Sequence, residues 1–269
     1  MEIRGKKVLI TGAAGGIGKA LSIEVARKGG DLFLCDIDEQ GLRETKKIID
    51  TIGQQCMTMV VDVSNSEQVK EMVAKVLDAY GHIDVLINNA GVTLLGEVRD
   101  YNLEDWARIM GINLWGPIYA VYYILPHMVE RRAGHIVNVA SAGGLISLPG
   151  NGAYCTTKFG IVGFSEVLRS ELKRCGVGVT LVCPGGVDTA FEKHGSVKGW
   201  TRFSPGTFVK GTKRKPEDVA GKIVRAIQKN KFLAIIGPEA RLFYLVKRFF
   251  PRLYYYIGLR LARDLEKWR

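Results

Sequence analysis

Short apolar runs alternate along this chain with longer stretches in which apolar positions recur every three or four residues. The runs Val8 to Thr11, Leu32 to Asp36, Thr58 to Asp62, Val85 to Asn88, His135 to Ala140, Val179 to Cys183 and Leu233 to Ile236 read as strands, and the stretches between them as amphipathic helices. That alternation predicts an α/β fold, a doubly wound parallel sheet of seven strands with helices on both faces. Several helix starts are also marked. Asp38 precedes Glu39-Gln-Gly-Leu42, Ser64 is followed three residues on by Glu67, and Pro216 leads into Glu217-Asp218. No linker or low-complexity run interrupts residues 1–237, which therefore read as one domain. Residues 238–269 read as a C-terminal helical extension, with Pro251 dividing two helical pieces.

Composition fits one domain with a substantial core, since 47% of the 269 residues are hydrophobic. Charge is placed unevenly. Residues 193–269 carry 19 Lys and Arg against 5 Asp and Glu, a net +14, whereas residues 1–192 carry 19 against 22, a net −3. The five cysteines, Cys35, Cys56, Cys155, Cys175 and Cys183, are odd in number and lack metal-ligand spacing. They predict a reduced intracellular protein without a disulfide framework or zinc site. With no signal-like N-terminus and no apolar run of about 18 residues, the expected location is cytoplasmic, or peripheral on the cytosolic face of a membrane.

The first strand runs into Thr11-Gly-Ala-Ala-Gly-Gly-Ile-Gly18 at the start of the first helix. A dinucleotide pyrophosphate is expected there. Backbone N–H groups and the positive helix end face the phosphates, and Gly12, Gly16 and Gly18 permit close approach. Asp36, ending the second strand, can accept hydrogen bonds from a ribose 2′-hydroxyl and repel a 2′-phosphate, which favours NAD over NADP; it also suits a plain strand-end turn. Gly15 and Ile37 stand where an Arg could otherwise bind that phosphate. Asp62 can meet an adenine amino group, and Asn88-Asn-Ala-Gly91 places small and amide residues at the carboxyl edge of the sheet, though both are also ordinary turn chemistry.

Tyr154 and Lys158, four residues apart, share a helix face, so an ammonium can favour the ionised form of a phenol. Ser141 lies thirteen residues upstream, at a strand end. Taken in order, the glycine turn, Asp62-Val63, Asn88-Asn-Ala-Gly91, Asn113, Ser141, Tyr154-Cys-Thr-Thr-Lys158 and Pro184-Gly-Gly-Val-Asp-Thr189 resemble the short-chain dehydrogenase/reductase family over roughly residues 5–236. The resemblance implies a Rossmann-like fold and a tetrad. In it Tyr154 exchanges a proton with a substrate oxygen, Lys158 lowers the phenol pKa and bonds the nicotinamide ribose, and Ser141 holds the substrate oxygen. Asn113 distorts its helix and holds a water linking Lys158 to solvent. The cofactor contacts it implies are Gly12, Gly15, Gly16, Ile17, Gly18, Asp36, Asp62, Val63, Asn89, Ala90 and Gly91, with Tyr154 and Lys158. Pro184, Gly185, Val187 and Thr189 complete them, Val187 against the nicotinamide ring and Thr189 on its carboxamide.

Residues 190–215 correspond to the family's substrate lid. Their aromatics, Phe191, Trp200, Phe203 and Phe208, serve either an apolar substrate or the lid's own anchoring. From Ala240 to Arg269, eight aromatics interleave with basic residues. Such a stretch suits an anionic membrane surface; it equally suits packing over the site's mouth or against another subunit. Nucleic acid is the weaker partner, since no recognition motif accompanies the charge. The expected substrate is a lipophilic alcohol or carbonyl compound, long-chain, sterol-like, retinoid-like or sphingoid. The alternatives are a 3-oxoacyl-carrier-protein-type reductase and a non-catalytic NAD(H)-binding sensor or scaffold. The helical stretches Asn102 to Val129 and Ala153 to Lys173 form dimer faces in similar proteins, so a homodimer or homotetramer is expected.

Overall fold

The structure, a computed structural model, describes residues 1–189, 195–201, 214–265 and 267. Seven strands, β1 (Lys7–Thr11), β2 (Asp31–Asp36), β3 (Cys56–Val60), β4 (Val85–Asn88), β5 (Gly134–Val139), β6 (Val177–Pro184) and β7 (Leu233–Ile236), form one parallel sheet in the order 3-2-1-4-5-6-7. The order reverses direction beside β1. That places the carboxyl ends of β1 and β4 at the switch point where a crevice opens in doubly wound sheets. Alternation along each strand feeds two cores. Val8 and Ile10 of β1 join Leu32, Leu34, Val85 and Ile87 under helices α1 (Gly16–Arg27), α2 (Glu39–Ile52) and α7 (Pro216–Gln228). Leu9, Phe33, Leu86 and Ile136 face the other way, under α3 (Ser66–Tyr80), α5 (Gly116–Glu130) and α6 (Gly152–Leu172).

Two local expectations shift. The third strand begins and ends two residues earlier than the hydrophobic run suggests, because Cys56 pairs with Leu32 and Val60 with Asp36, while Asp62 leaves the ladder to donate its N–H to Gln68 Oε1 at 2.8 Å. The N-cap of α3 is Asn65, not Ser64. Asn65 Oδ1 accepts from the N–H groups of Glu67 and Gln68 at 3.0 and 3.2 Å, and Ser64 Oγ turns back to donate to Asp62 Oδ1 at 2.7 Å. The other two starts hold, with Asp38 Oδ1 accepting from Gly41 N at 3.1 Å and Pro216 at the first turn of α7.

Between α4 (Leu103–Met110) and α5 the backbone forms a π-helical segment, Gly111–Trp115, centred on Asn113. Beyond β7, α8 (Pro238–Phe249) and α9 (Pro251–Leu265) meet at Pro251, as its missing N–H requires. No helix among the described residues is long and apolar enough to cross a membrane. A short second pairing joins Leu94–Leu95 to Ser196–Val197. Of the four aromatics expected in the lid, Trp200 is buried against Leu95 and Leu265, which gives it an anchoring role; Phe191, Phe203 and Phe208 lie outside the described residues.

Candidate active site

The glycine turn is shaped by contacts that come mainly from Asn89 and Ala90, just past the end of β4. Thr11 Oγ1 accepts from the N–H groups of Asn89 and Ala90 at 3.1 and 3.2 Å, and Asn89 Nδ2 donates to the carbonyls of Thr11 and Gly12 at 3.1 and 3.0 Å. The turn is therefore pinned to the segment that follows β4. Gly12, at φ +68°, would place a Cβ 2.7 Å from Ala90 Cα, and a Cβ on Gly18 would collide with the Gly12 carbonyl. Gly15 differs, since a Cβ there would meet nothing within 4 Å. That open ground precedes Ile17 in the first turn of α1, with no acidic residue in that turn, and it is a cradle that fits a dinucleotide pyrophosphate. Thr189 reaches over from the far side, its Cγ2 3.3 Å from where a Gly16 Cβ would stand.

Asp36 stands at the end of β2 as expected, and its carboxylate is already in use. Oδ2 accepts from Ala14 N at 2.9 Å and Oδ1 from Asp38 N at 3.1 Å. The residue thus supports the turn, whatever else it binds. Asp62 Oδ1 likewise holds Ser64. Val63 is buried against the α5 side of the sheet, where a Cβ on Gly116 would press on it.

Asn113, Ser141, Tyr154 and Lys158 converge at the carboxyl ends of β4 and β5. Asn113 is fully buried; Oδ1 accepts from Val92 N and Nδ2 donates to Val92 O, both at 2.8 Å, with a further 3.3 Å contact to Thr157 Oγ1. Its side chain is committed to the backbone at Val92, so any water it orders must be held elsewhere on the residue. Gly91 spaces Asn113 from Lys158, because a Cβ there would lie 3.3 Å from Asn113 Oδ1 and 3.5 Å from Lys158 Nζ. Lys158 Nζ donates to Val139 O at 3.1 Å and sits 5.8 Å from the centre of the Tyr154 ring. Ser141 hydrogen-bonds the Tyr154 phenol and accepts from Gly143 N at 3.0 Å.

The electrostatics of this group run against the simple expectation that Lys158 pulls the phenol down. Burial pushes Tyr154 up to about 12, and the Ser141 hydrogen bond only partly offsets it. Burial also brings Lys158 down to about 8, because a 4% exposed ammonium has lost most of its hydration. Two desolvated groups each favour their neutral form. Lys158 therefore carries its charge below about pH 8, and the pair is neutral between about 8 and 12.

At the end of β6, Gly185 N donates to Ile236 O at 2.8 Å, carrying the loop after Pro184 toward the glycine turn, and Val187 bridges to Arg214. Sequence reasoning missed what fixes this loop. Arg214 grips Glu239 of α8 through both carboxylate oxygens, at 2.6 and 2.5 Å, and donates to Gly186 O at 3.1 Å. Also missed were Thr11, Thr157, and a buried polar ladder from Asn88 to Asn138 to Ser165, each bond 2.9 Å, that seats α6 on the sheet. Thr157, one residue before Lys158 and donating to Tyr154 O at 2.7 Å, carries the clearest sequence signal of these.

A doubly wound sheet with an open glycine cradle beside a Ser–Tyr–Lys group defines a nicotinamide-dependent oxidoreductase of alcohols and carbonyls. The comparisons make the class specific. The sequence profile of the family described as short chain dehydrogenase matches residues 6–197, and the chain belongs to the short-chain dehydrogenase/reductase family. It is 34% identical over 228 residues to the 3-oxoacyl-[acyl-carrier-protein] reductase FabG of Thermotoga maritima, covering 83% of this chain and 91% of that protein. Dehydrogenase/reductase SDR family member 7B of Danio rerio is 31% identical over 274 residues, covering 97% and 87%. A short-chain dehydrogenase/reductase from Burkholderia phymatum, solved in complex with NAD, superimposes with a TM-score of 0.87 at 30% identity, covering 94% of this chain and 96% of that one.

Proposed function

We propose that the protein interconverts an alcohol and a carbonyl on a lipophilic substrate, using NAD in preference to NADP. The observation that carries this reading is the convergence of Ser141, Tyr154 and Lys158 beside an open glycine cradle. A bound nicotinamide supplies or accepts the hydride. Tyr154 moves the proton at the substrate oxygen, giving it up in reduction and taking it in oxidation, and Ser141 holds that oxygen by hydrogen bonding. Lys158, still charged below about pH 8, holds its proton the more firmly when a ribose hydroxyl and an ionised phenol face it, and Asn113 fixes the loop at Val92 that borders it. Cofactor preference rests on Asp36, whose oxygens keep lone pairs for a 2′-hydroxyl while their charge repels a 2′-phosphate; Asp62 and Val63 would line the adenine end.

The substrate assignment is supported by the apolar company of Tyr154, which packs with Val92, Leu94, Tyr101 and Trp106. Residues 1–237 act as the catalytic domain in this reading and 190–215 as its lid. Exposed Trp115, Tyr122 and Val167 on α5, α6 and the π segment support pairing of two copies, and five free cysteines suit a reducing cytoplasm. The basic C-terminal third and the similarity to FabG favour a second reading, reduction of a 3-oxoacyl group on an acidic carrier protein.

A screen of NAD and NADP reduction with long-chain and polycyclic alcohols tests the proposal, with 3-oxoacyl substrates assayed in the reducing direction. Tyr154→Phe is expected to lose about a thousandfold in turnover while binding NADH normally; near-normal turnover would remove Tyr154 from proton transfer. Asp36→Ala should narrow the NAD/NADP ratio about tenfold, and an unchanged ratio leaves Asp36 as a turn support alone. Faster turnover of the 3-oxoacyl substrate would favour the second reading.

A further inference from the structure

The extension is folded against the body on one side and uncovered on the other. On α9, Tyr254, Ile257, Gly258 and Leu265 share the inward face; the Tyr254 hydroxyl donates to Ser147 O, and Leu265 packs on Leu95 and Trp200. From α8, Lys247 donates to Leu145 O at 2.8 Å and lies 4.3 Å from the Phe159 ring centre, and Arg241 caps Ile235 O of the edge strand at 3.2 Å. These contacts fix the pair's orientation. They also use up its inward polar groups.

The outward side is apolar and cationic together. Phe249, Phe250 and Tyr255 are 65%, 63% and 68% exposed, and Leu242, Leu253 and Leu259 stand among them. Arg248, Arg252, Arg260 and Arg263 alternate with these side chains, all exposed. Among the described residues, carboxylates are nearly missing from this side. Glu239 is held in the Arg214 clamp, and Asp264, at the margin of α9, has Lys267 at 3.5 Å. So extensive an uncovered apolar surface marks an interaction site. Its charge decides between occupants. A second copy seated face to face would set these arginines against their own images with only Asp264, among the described residues, to answer them, whereas lipid phosphates supply the missing charge and the acyl boundary takes up Phe and Leu.

We propose that the outer face of α8 and α9 docks on an anionic lipid bilayer, Phe249, Phe250 and Tyr255 entering the headgroup boundary and Arg248, Arg252 and Arg260 meeting lipid phosphates. Ser147 and Leu145 lie between Ser141 and Tyr154 in the chain, so the docked face sits beside the segments that frame the site. A membrane-dissolved substrate would then approach along that flank. This corollary rests on the lipophilic-substrate reading above; the docking itself does not.

Flotation of the full chain with phosphatidylcholine vesicles, with and without about a third phosphatidylglycerol, tests the docking without needing turnover, at about 0.1 M salt where surface attraction is only partly screened. The chain is expected to float with the anionic vesicles and about tenfold more weakly with the neutral ones. F249S/F250S and R248Q/R252Q should each lower anionic binding about tenfold or more with melting temperature unchanged. Absence of binding to anionic vesicles, or equal binding by the variants, would overturn the proposal. So would variants that instead split a dimer in sedimentation, or that lose binding to an oligonucleotide without any vesicle binding in the parent chain.

Discussion

Around the glycine turn, the protein answers its own polar groups: Asn89 bonds Thr11 and Asp36 bonds Ala14 through side chain–backbone bonds, and Gly12 and Gly18 stand where a Cβ would strike nearby backbone. Along α8 and α9, the inward groups are answered in the same way, but the outward side leaves aromatic rings and arginines facing solvent. The difference is one of completeness. The turn is finished by tertiary contacts, whereas on the extension's outer face the contacts among the described residues are short-range ones within α9, such as Arg260 Nε donating to the Tyr256 hydroxyl at 3.0 Å. A region of the first kind resists substitution throughout; one of the second kind should tolerate it for folding and fail only in association.

The sharpest way to break this contrast is Gly18→Ala. A methyl forced onto the Gly12 carbonyl should cost about 3 kcal/mol in denaturant unfolding and weaken NADH binding, and a neutral result would mean that the turn is less fixed than its contacts imply. Lys158→Met comes next, with the opposite sign. The folded lysine titrates near 8 and an ordinary one near 10.5, so across that window the unfolded chain holds a proton that the folded chain has released, and stability rises with pH. Below pH 8 the burden is complete. The variant should therefore be about 2 kcal/mol more stable than the parent at pH 7, after allowing for the lost bond to Val139 O, with the gap closing by pH 10.5. Melting curves of both proteins at a series of pH values would show it, and a gap independent of pH would place the lysine's burial cost elsewhere. Smallest of all, Phe249→Ser should change stability by less than about 0.5 kcal/mol; a larger loss would show that the outer face packs against something within the chain.

Much of the folded floor was legible because its requirements repeat at short range. A strand run followed by glycines, a Tyr and a Lys one helical turn apart, and an Asn in a helix that the structure bends into a π segment all write their geometry in local spacing. What escaped notice joins residues far apart. Asn88 finds Asn138 across the sheet and Arg214 finds Glu239 beyond a whole strand and helix, and nothing in either neighbourhood marks the partner. The cap at Asn65 was misplaced by one residue for the opposite reason, since Ser64 and Asn65 both suit it and only the pull of Asp62 on the serine hydroxyl decides. The phenol and ammonium acidities were likewise out of reach, because proximity in sequence gives the sign of their attraction but not the depth of their burial.

The Arg214–Glu239 clamp also has a thermodynamic meaning. Through one guanidinium it joins the Gly186 carbonyl, in the loop that leads to Thr189 over the glycine turn, to the first turn of the helix that carries the outer face. Any coupling carried by that link is reciprocal: the factor by which a tightened loop would strengthen the seating of the extension is the factor the extension would return to the loop.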